Sequence, residues 1–409
     1  MLETGLHEAK ILLPNTDDMT AFSIVACDQF TSELEYWKKL ESQVKGKKTA
    51  LDLVLPEIYL SETDKKVPII NENIDKYLSN GWFSELPKGF ILTVRKTPYV
   101  ERRIGLVATI DLEKYEYSKK SSALIRSTEG TIEERIPPRL KIRKNASCEF
   151  PHIMILCDDE KREIIEKLYE NRDKLTKVYD FELNMGGGHI EGYFVEDYKP
   201  VLEAFSHLLD EDRLIKKYGS ADKFAFAVGD GNHSLATAKT HWNNVKESLT
   251  AEEKETHPAR FALAEIVNIY DEGIYFEPIF RFVNGIDKAK FLSGFKAVDG
   301  GKIGVYANEY AEIEEINGKN VLPQGILAVD EYIKNFITEN GGEVDYIHGE
   351  KNLTDLVDKN ENSVGIFFEK MDKNDLFRYV SQSGALPRKT FSMGENVEKR
   401  YYLEGRKIK

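Results

Sequence analysis

The prediction of the fold starts from residues 224–239, whose sequence is FAFAVGDGNHSLATAK. Its first five residues are apolar and typical of a buried strand, and residues 234–242 have a helical pattern. Gly229 and Gly231 allow a tight turn between the two, because glycine adopts backbone angles that are closed to other residues. The sequence therefore predicts a strand, a turn and a helix in direct succession.

Strands and helices alternate along the rest of the chain as well. Apolar stretches predict strands at residues 23–27, 91–96, 105–112, 153–157 and 363–368, of which the second and third form a hairpin. Helices are predicted near residues 328–338 and 373–382, after Asp159, and from Glu33, where Ser32 and Glu35 form a capping box. This alternation predicts a mixed α/β (α+β) fold. We divide it into an N-terminal α/β region with the hairpin (1–150), a central domain with the loop (151–290) and a C-terminal α/β region (291–409).

Composition limits the classes of function. The chain has 409 residues, of which 41% are hydrophobic and 31% charged, a globular composition. Its net charge of -13 argues against nucleic acids and membrane surfaces as partners, since both need basic faces. No apolar stretch could span a bilayer, and no signal-peptide pattern is present. Three cysteines form no disulfide framework. We expect a soluble cytoplasmic protein and leave a homo-oligomer open.

The turn after residue 228 offers a site for an anion. The first amides of a helix have no internal partner and the helix dipole adds positive charge, which suits a phosphate or carboxylate. Asn232 or Ser234 can cap the helix. Asp230 can hold a metal ion or act as a base, and His233 can donate to a phosphate oxygen or take a proton. An ordinary strand-to-helix turn has the same pattern, so both interpretations stay open.

Three further segments offer charged groups. Glu129 is followed by Arg139 and Arg143, and phosphoryl transfer needs a carboxylate together with several cations. Arg388-Lys389-Thr390 places two cations before a hydroxyl, and Arg281 follows a Glu-Pro step. The first segment can equally be a mobile surface loop and the second a plain loop. Arg281 can equally form a structural salt bridge.

Several enzyme classes are excluded by missing motifs. The chain contains neither the G-x-x-x-x-G-K-[ST] loop of P-loop enzymes nor the C-x-x-C and H-E-x-x-H patterns of zinc sites. Its three successive glycines at 186–188 lack the spacing of a dinucleotide fold. Cys27 and Cys157 follow apolar runs, so we expect both to be buried and inert.

Several of these segments resemble motifs of the domain-of-unknown-function ten-fifteen family. The family has a strand, a D-G-H-H-R turn and a helix, which match residues 230–234 here. Residues 129–131 are similar to its H-E-x-T segment, residues 278–281 to its P-x-x-R and residues 386–390 to its closing M-P-x-K-S/T motif. Its central motif is similar to the ParB/sulfiredoxin-like superfamily, which includes nucleotide-using enzymes and a free-serine kinase.

The departures from the family pattern concern its charges. Asn232 and Ser234 stand where the family has a histidine and an arginine, and Thr128 replaces the histidine of H-E-x-T. The lost arginine removes a bidentate phosphate contact. Lys239, Arg388 and Lys389 are the candidates to replace its charge.

The resemblance implies a ParB/sulfiredoxin-like central domain and a nucleotide-dependent phosphotransferase that acts on a small polar metabolite, with Mg²⁺ accompanying the nucleotide. Glu129 and Asp230 would be catalytic. The predicted phosphate- or nucleotide-binding residues are Gly231, Asn232, His233, Ser234, Arg139, Arg143, Arg281, Arg388, Lys389 and Thr390. The alternatives are a non-catalytic module that binds a nucleotide or phosphometabolite, and a phosphate-ester hydrolase.

Overall fold

A computed structural model describes residues 3–25, 30, 33–131, 133–308 and 313–409. The strands are β1 (Leu6–His7), β2 (Ala9–Pro14), β3 (Phe83–Lys96), β4 (Arg103–Asp111), β5 (Tyr115–Glu116), β6 (Ile125–Ser127), β7 (Cys148–Glu149), β8 (Met154–Cys157), β9 (Thr176–Glu182), β10 (His189–Val195), β11 (Phe226–Asp230), β12 (Phe261–Asn268), β13 (Phe276–Asn284), β14 (Lys302–Tyr306), β15 (Glu314–Asn317), β16 (Glu343–His348), β17 (Ser363–Phe368), β18 (Phe391–Met393) and β19 (Arg406–Lys407).

The α-helices lie between these strands along the whole chain, so the predicted mixed α/β fold is confirmed. They are α1 (Met19–Phe22), α2 (Leu34–Val44), α3 (Thr63–Ser79), α4 (Ile136–Asn145), α5 (Ile165–Glu170), α6 (Lys199–Ser206), α7 (Glu211–Tyr218), α8 (Asn232–Lys246), α9 (Ala251–Thr256), α10 (Lys288–Phe295), α11 (Leu322–Asn340), α12 (Glu350–Lys359) and α13 (Leu376–Ser383).

The chain forms two compact units that interleave in sequence. The first comprises residues 1–274, 377–385 and 395–409, and the second comprises residues 275–376 and 386–394. The predicted domain boundaries after residues 150 and 290, and the ParB/sulfiredoxin-like assignment of the central domain, stay predictions.

A large mixed sheet forms the centre of the first unit. Its strands are ordered β5-β6-β11-β8-β12-β4-β3-β10-β9, with β1 and β2 pairing at β4 and β3. The predicted hairpin is confirmed, because β3 and β4 are antiparallel with Ile91 opposite Val107. Neighbouring residues of these strands point to opposite faces, so Ile91 and Leu92 belong to two separate apolar clusters, one on each face of the sheet. Both faces of the sheet are therefore buried.

The strand that leads to the predicted loop lies between two neighbours of opposite direction. β11 runs parallel to β6 and antiparallel to β8. The predicted strand at 224–228 is shifted by two residues, because β11 begins at Phe226 and continues through Gly229 to Asp230. The following helix α8 begins at Asn232, two residues before the predicted start at Ser234.

Residues 395–409 form hydrogen bonds with several strands of the first unit. Leu12 and Gly405 exchange two backbone hydrogen bonds of 2.7 and 2.9 Å, and β19 pairs with β7. The Tyr402 hydroxyl donates to the Ile153 carbonyl beside β8. We call residues 395–409 the closing segment, because they contact strands from the beginning and the middle of the unit.

The second unit contains its own sheet, ordered β15-β14-β17-β13-β16, with β18 pairing to β13. The predicted strand at 363–368 is confirmed as β17, and the predicted helix near 328–338 lies within α11. The helix predicted near 373–382 is α13, most of which belongs to the first unit.

Other predictions have mixed outcomes. The helix expected near Glu33 is confirmed as α2, whereas Ser32 of the capping box lies outside the described residues. Residues 23–25 form no strand, so the strand predicted at 23–27 is not found in its described part, and Cys27 lies outside the described residues. The helix expected after Asp159 begins only at Ile165. Among the described helices, none combines the length and the apolar character needed to cross a membrane.

The two described cysteines are buried and reduced, Cys148 in β7 and Cys157 in β8. Burial raises the pKa of the Cys148 thiol to about 12 and raises that of Cys157 as well. Because the thiolate is the reactive form, neither thiol is poised as a nucleophile. The expectation that Cys157 is buried is confirmed.

Candidate functional site: the loop before helix α8

The turn between β11 and α8 requires a glycine. Gly231 has a φ of 81°, in the left-handed region that favours glycine. A Cβ at this position would lie 2.4 Å from the carbonyl oxygen of His152. The close approach holds the loop against the chain that enters β8, so the position of the α8 N-terminus is set by backbone packing.

The N-terminus of α8 has no side-chain cap. Gly231 occupies the N-cap position, and the first hydrogen bond of the turn runs from the Leu235 amide to the Gly231 carbonyl at 2.9 Å. The predicted cap by Asn232 or Ser234 is wrong, because both residues lie inside the first turn of α8 and Oδ1 of Asn232 accepts the Ser127 hydroxyl. The N-cap residue itself thus offers no side chain to the first amides of α8, which are the groups with which a helix N-terminus receives an anion.

Strand β6 brings Glu129 to this helix start. The Ser127 hydroxyl lies 2.6 Å from Oδ1 of Asn232 and 2.7 Å from the carbonyl oxygen of Glu129. Thr128 donates to the Val228 carbonyl at 2.6 Å, which ties the same loop to β11. Asn232 is buried and Glu129 is half-buried. Two segments that are far apart in sequence thus meet at the start of α8.

Asp230 is held by two basic groups. Its Oδ2 lies 2.7 Å from the Lys399 ammonium and 3.2 Å from Nε2 of His152. Its Oδ1 accepts the Gly231 amide at 2.8 Å. Nδ1 of His152 lies 2.7 Å from the carbonyl oxygen of Arg400, so the closing segment contributes to the arrangement a second time. Both contacts of His152 are hydrogen bonds only when both ring nitrogens carry protons.

The charge on Asp230 determines which chemistry it can perform. Burial alone would raise the pKa of this carboxyl, but the charge of Lys399 and the hydrogen bond with His152 hold it well below its ordinary value. A carboxylate with so low a pKa is a poor proton acceptor. In this arrangement Asp230 is suited to orienting its neighbours rather than to acting as a general base.

Lys399 and His152 were missed by the sequence analysis. His152 precedes the strand predicted at 153–157, which pairs with β11, so a register argument could have placed it near the loop. Lys399 lies in the basic stretch 386–409, but nothing near it in sequence points to Asp230. Lys239, one candidate to replace the missing family arginine, instead donates to the Leu112 carbonyl at 2.8 Å and lies 3.3 Å from Glu116. Lys399 is a cation that does lie beside the loop.

The two arginines predicted on α4 have carboxylate partners. Arg139 pairs with Glu57, and Arg143 lies 2.6 Å from a carboxylate oxygen of Glu149, which is itself buried. Helix α4 packs beside α8, and burial together with Arg143 lowers the pKa of His241 on α8 to about 4. These contacts give both arginines a structural role, and their predicted role in phosphate binding stays a prediction.

The remaining predicted residues belong to the second unit. Arg281 is fully buried and bidentate to Asp330, with distances of 2.7 and 2.9 Å. It also donates to the carbonyl oxygen of Lys389 at 3.0 Å. Thr390 is buried and donates to the Pro387 carbonyl at 2.7 Å, whereas Arg388 and Lys389 are exposed. Arg281 thus forms the structural salt bridge that the sequence left as an alternative.

Two groups of potential metal ligands occur among the described residues, and neither includes Asp230 or Glu129. They consist of Glu3, His7 and Asp111, and of Asp180, His189 and Glu191. In the first group Asp111 is bidentate to Arg260, at 3.0 and 2.8 Å. In the second group Lys177 contacts both Asp180 and Glu191. Basic side chains thus already neutralise carboxylates of both groups.

Comparison with protein families identifies the chain. The model of the family described as "protein of unknown function (DUF1015)" matches residues 10–372. The chain belongs to the DUF1015 family. The central loop at 230–234, Glu129 and Arg281 therefore lie within the DUF1015 region, whereas Arg388, Lys389, Thr390 and Lys399 follow it in sequence. No curated protein matches the chain.

Solved structures show only distant similarity to this member of DUF1015. A conserved hypothetical protein from Pyrococcus furiosus has 10% identity and a TM-score of 0.37, covering 70% of this chain and 90% of that protein. A free serine kinase in complex with AMP has 9% identity and a TM-score of 0.40, with 74% and 92% covered. SbnI from Staphylococcus aureus has 8% identity and a TM-score of 0.35, with 70% and 82% covered. Similarity at this level adds nothing to what family membership establishes.

Proposed function

We propose that the chain is a nucleotide-dependent phosphotransferase that acts on a small polar metabolite and holds the nucleotide phosphates at the start of α8. The observation that carries the proposal is the N-terminus of α8, which follows Gly231 and has no side-chain cap. Amides in this position point at the ligand and the helix dipole favours its negative charge. Phosphoryl transfer depends chiefly on positioning and charge stabilisation, which such a loop can supply.

The proposal assigns different roles to the two carboxylates. Asp230 is paired with Lys399 and His152 and orients the loop. Glu129 orients the hydroxyl that attacks the phosphoryl group, or binds Mg²⁺. Proteins hold Mg²⁺ through one or two carboxylates together with substrate phosphates, and the proposal gives this role to Glu129. Both carboxylate oxygens of Asp230 bond to its neighbours. Bound Mg²⁺ would neutralise charge on the transferring phosphate.

Positive charge at the loop comes from two sources in this proposal. His233 is half-buried in the first turn of α8, where its ring can donate to a phosphate oxygen. Lys399 stands 2.7 Å from Asp230 and supplies the cation that the family motif places at residue 234. The phosphate contacts predicted from sequence for Arg388, Lys389 and Thr390 stay predictions.

The second candidate function is a non-catalytic module in which the same loop binds a nucleotide or phosphometabolite. The observation that favours it is the Asp230–Lys399 ion pair, because a carboxylate that is already neutralised contributes little to metal binding or proton transfer. The exposed Ser234 in place of arginine points in the same direction. Both functions share the anion-binding loop and differ only in chemistry.

Calorimetry and turnover together test the proposal. The full chain is titrated with ATP and ADP, with and without Mg²⁺, and then incubated with pools of amino acids, sugars and polyols under phosphorus NMR. We expect Glu129→Gln to lower turnover by orders of magnitude and to leave nucleotide affinity within a few-fold. Glu134→Gln is the matched control, because Glu134 is exposed. Tight binding without phosphorylation would favour the second candidate, and absence of both would contradict the anion-binding loop.

A further inference from the structure

Two buried arginines face each other in the central sheet. Arg95 in β3 and Arg103 in β4 are directly opposite in the antiparallel register. They are 1% and 5% exposed. Like charges at directly opposite positions of a sheet repel each other, and a guanidinium keeps its charge even when it is buried. A pair of this kind needs a source of negative charge close by.

The neighbouring carboxylates do not pair directly with these arginines. In the described part of the chain, no carboxylate oxygen lies within 4.0 Å of the nitrogens of Arg95 or Arg103. Glu265 accepts the Thr93 hydroxyl at 2.7 Å and Glu398 accepts the Thr97 hydroxyl at 2.6 Å. Both carboxylates therefore moderate the charge of the arginines from a distance, while each bonds to a threonine.

Both guanidiniums bond to backbone carbonyl oxygens. Both guanidiniums donate to the Glu398 carbonyl, the longer bond being 3.4 Å from Arg103. Arg95 also donates to the carbonyls of Gly187 and Val397, at 3.1 and 3.0 Å. The Nε atoms of both arginines are buried and have no hydrogen-bond partner among the residues that the structure describes. Two guanidiniums that converge on one neutral oxygen, each with an unused donor, form an incomplete oxyanion site.

We infer that Arg95 and Arg103 form a second anion-binding site, for a phosphate or carboxylate group of a small ligand. The ligand oxyanion bonds to the two Nε atoms and to the terminal nitrogens that now share the Glu398 carbonyl. Val397 is half-buried, so the site lies beneath a part of the closing segment that reaches the surface. The inference does not depend on the α8 loop, and the two sites are testable separately.

Calorimetry with inorganic phosphate and with acetate on the full chain tests the inference, one probe for each ligand class. We expect Arg103→Met to lower the affinity for the bound probe at least tenfold and Arg103→Lys to recover part of it. The matched control is Arg102→Met, because Arg102 is the neighbouring residue and is exposed. The affinity of the Arg102→Met variant for the probe should stay within twofold of that of the unmodified chain. A folded Arg103→Met variant with unchanged affinity for both probes overturns the inference.

Two further measurements keep the outcome clear. If Arg103→Met does not fold, crystals of the unmodified chain soaked in selenate must show an anomalous peak between the guanidiniums of Arg95 and Arg103, and absence of the peak overturns the inference. Gly231→Ala separates this site from the α8 loop. The arginine site should still bind the probe in this variant. Loss of all binding in Gly231→Ala, with none lost in Arg103→Met, would assign the anion to the α8 loop alone.

Discussion

Lys399 places its ammonium 2.7 Å from Oδ2 of Asp230, although Lys399 belongs to the closing segment and Asp230 to the central strand β11. The two side chains are 7% and 20% exposed, so the ion pair is largely shielded from water. An ion pair in such surroundings contributes little relative to apolar packing, but the loss of one partner is costly because the other remains buried and charged. Substitutions in this pair therefore measure how much the closing segment stabilises the loop at Asp230.

We predict that Lys399→Met lowers the free energy of unfolding by about 3 kcal/mol, because Asp230 loses its closest counter-ion. Urea denaturation at neutral pH measures the change. Adding Asp230→Asn to the variant should recover part of the loss, since no unpaired carboxylate remains. Lys407→Met is the control, because the Lys407–Glu85 pair is 51% and 34% exposed and should contribute less than about 1 kcal/mol. Equal losses in the two single variants would contradict the prediction.

His241 gives a prediction about acid stability. Burial lowers its pKa to about 4 from an ordinary value of 6.5, so the unfolded chain binds a proton between these pH values that the folded chain does not. Stability therefore falls as the pH decreases from about 6.5 to about 4, by about 2 kcal/mol from this group after allowance for screening by solvent. His241→Gln should flatten this part of the pH profile measured by thermal or urea unfolding.

The control for His241 is His207→Gln, because His207 is exposed. Its profile should keep the decline below pH 6.5. If the two variants have the same profile as the unmodified chain, the acid sensitivity arises elsewhere and the prediction about His241 is wrong.

Gly231 gives a prediction about backbone strain. Gly231→Ala should lower the free energy of unfolding by more than about 2 kcal/mol, since the new Cβ meets the His152 carbonyl in addition to adopting a left-handed conformation. Gly219→Ala is a close control, because Gly219 has a φ of 74° and nothing within 4 Å. It should cost only about 1 kcal/mol. Similar losses in both variants would show that the loop can move away from β8.

Arg143 separates a structural role from a binding role. We predict that Arg143→Met destabilises the fold by about 2 kcal/mol, because Glu149 is buried and loses one of its two arginine partners, keeping Arg406 and the Leu263 amide. Nucleotide affinity should change less than twofold. The exposed pair Arg162–Glu272 offers the control Arg162→Met, with little effect on either quantity. Unchanged stability with lost affinity would instead support the phosphate-binding role predicted from sequence.

The strands and helices with strong local patterns could be predicted from the sequence. The apolar run at 363–368 is β17 and the hairpin at 91–112 pairs as expected, since both depend on residues that are close in sequence. The predicted helix cap failed for a reason that no local pattern contains. The hydroxyl of Ser127, 105 positions away in sequence, donates a hydrogen bond to Oδ1 of Asn232, the oxygen that a cap would have used.

The candidate site was predictable only in its central loop. The Gly-Asp-Gly turn identified Asp230 and Gly231, but the partners of Asp230 come from β8 and from the closing segment. The charges of Arg139, Arg143 and Arg281 suggested phosphate contacts, whereas each has a carboxylate partner that sequence spacing cannot reveal. Charge alone does not distinguish a binding group from one that is already neutralised.

The interleaving of the two units sets an order for synthesis on the ribosome. Residues 275–376 and 386–394 belong to the second unit and are made before the closing segment of the first. Until residues 395–409 emerge, Asp230 lacks Lys399 and Glu149 lacks Arg406. While the whole second unit is translated, the nascent first unit thus carries Asp230 without Lys399 and Glu149 with only Arg143 of its two arginine partners. Its assembly is therefore completed after translation of the second unit rather than domain by domain from the N-terminus.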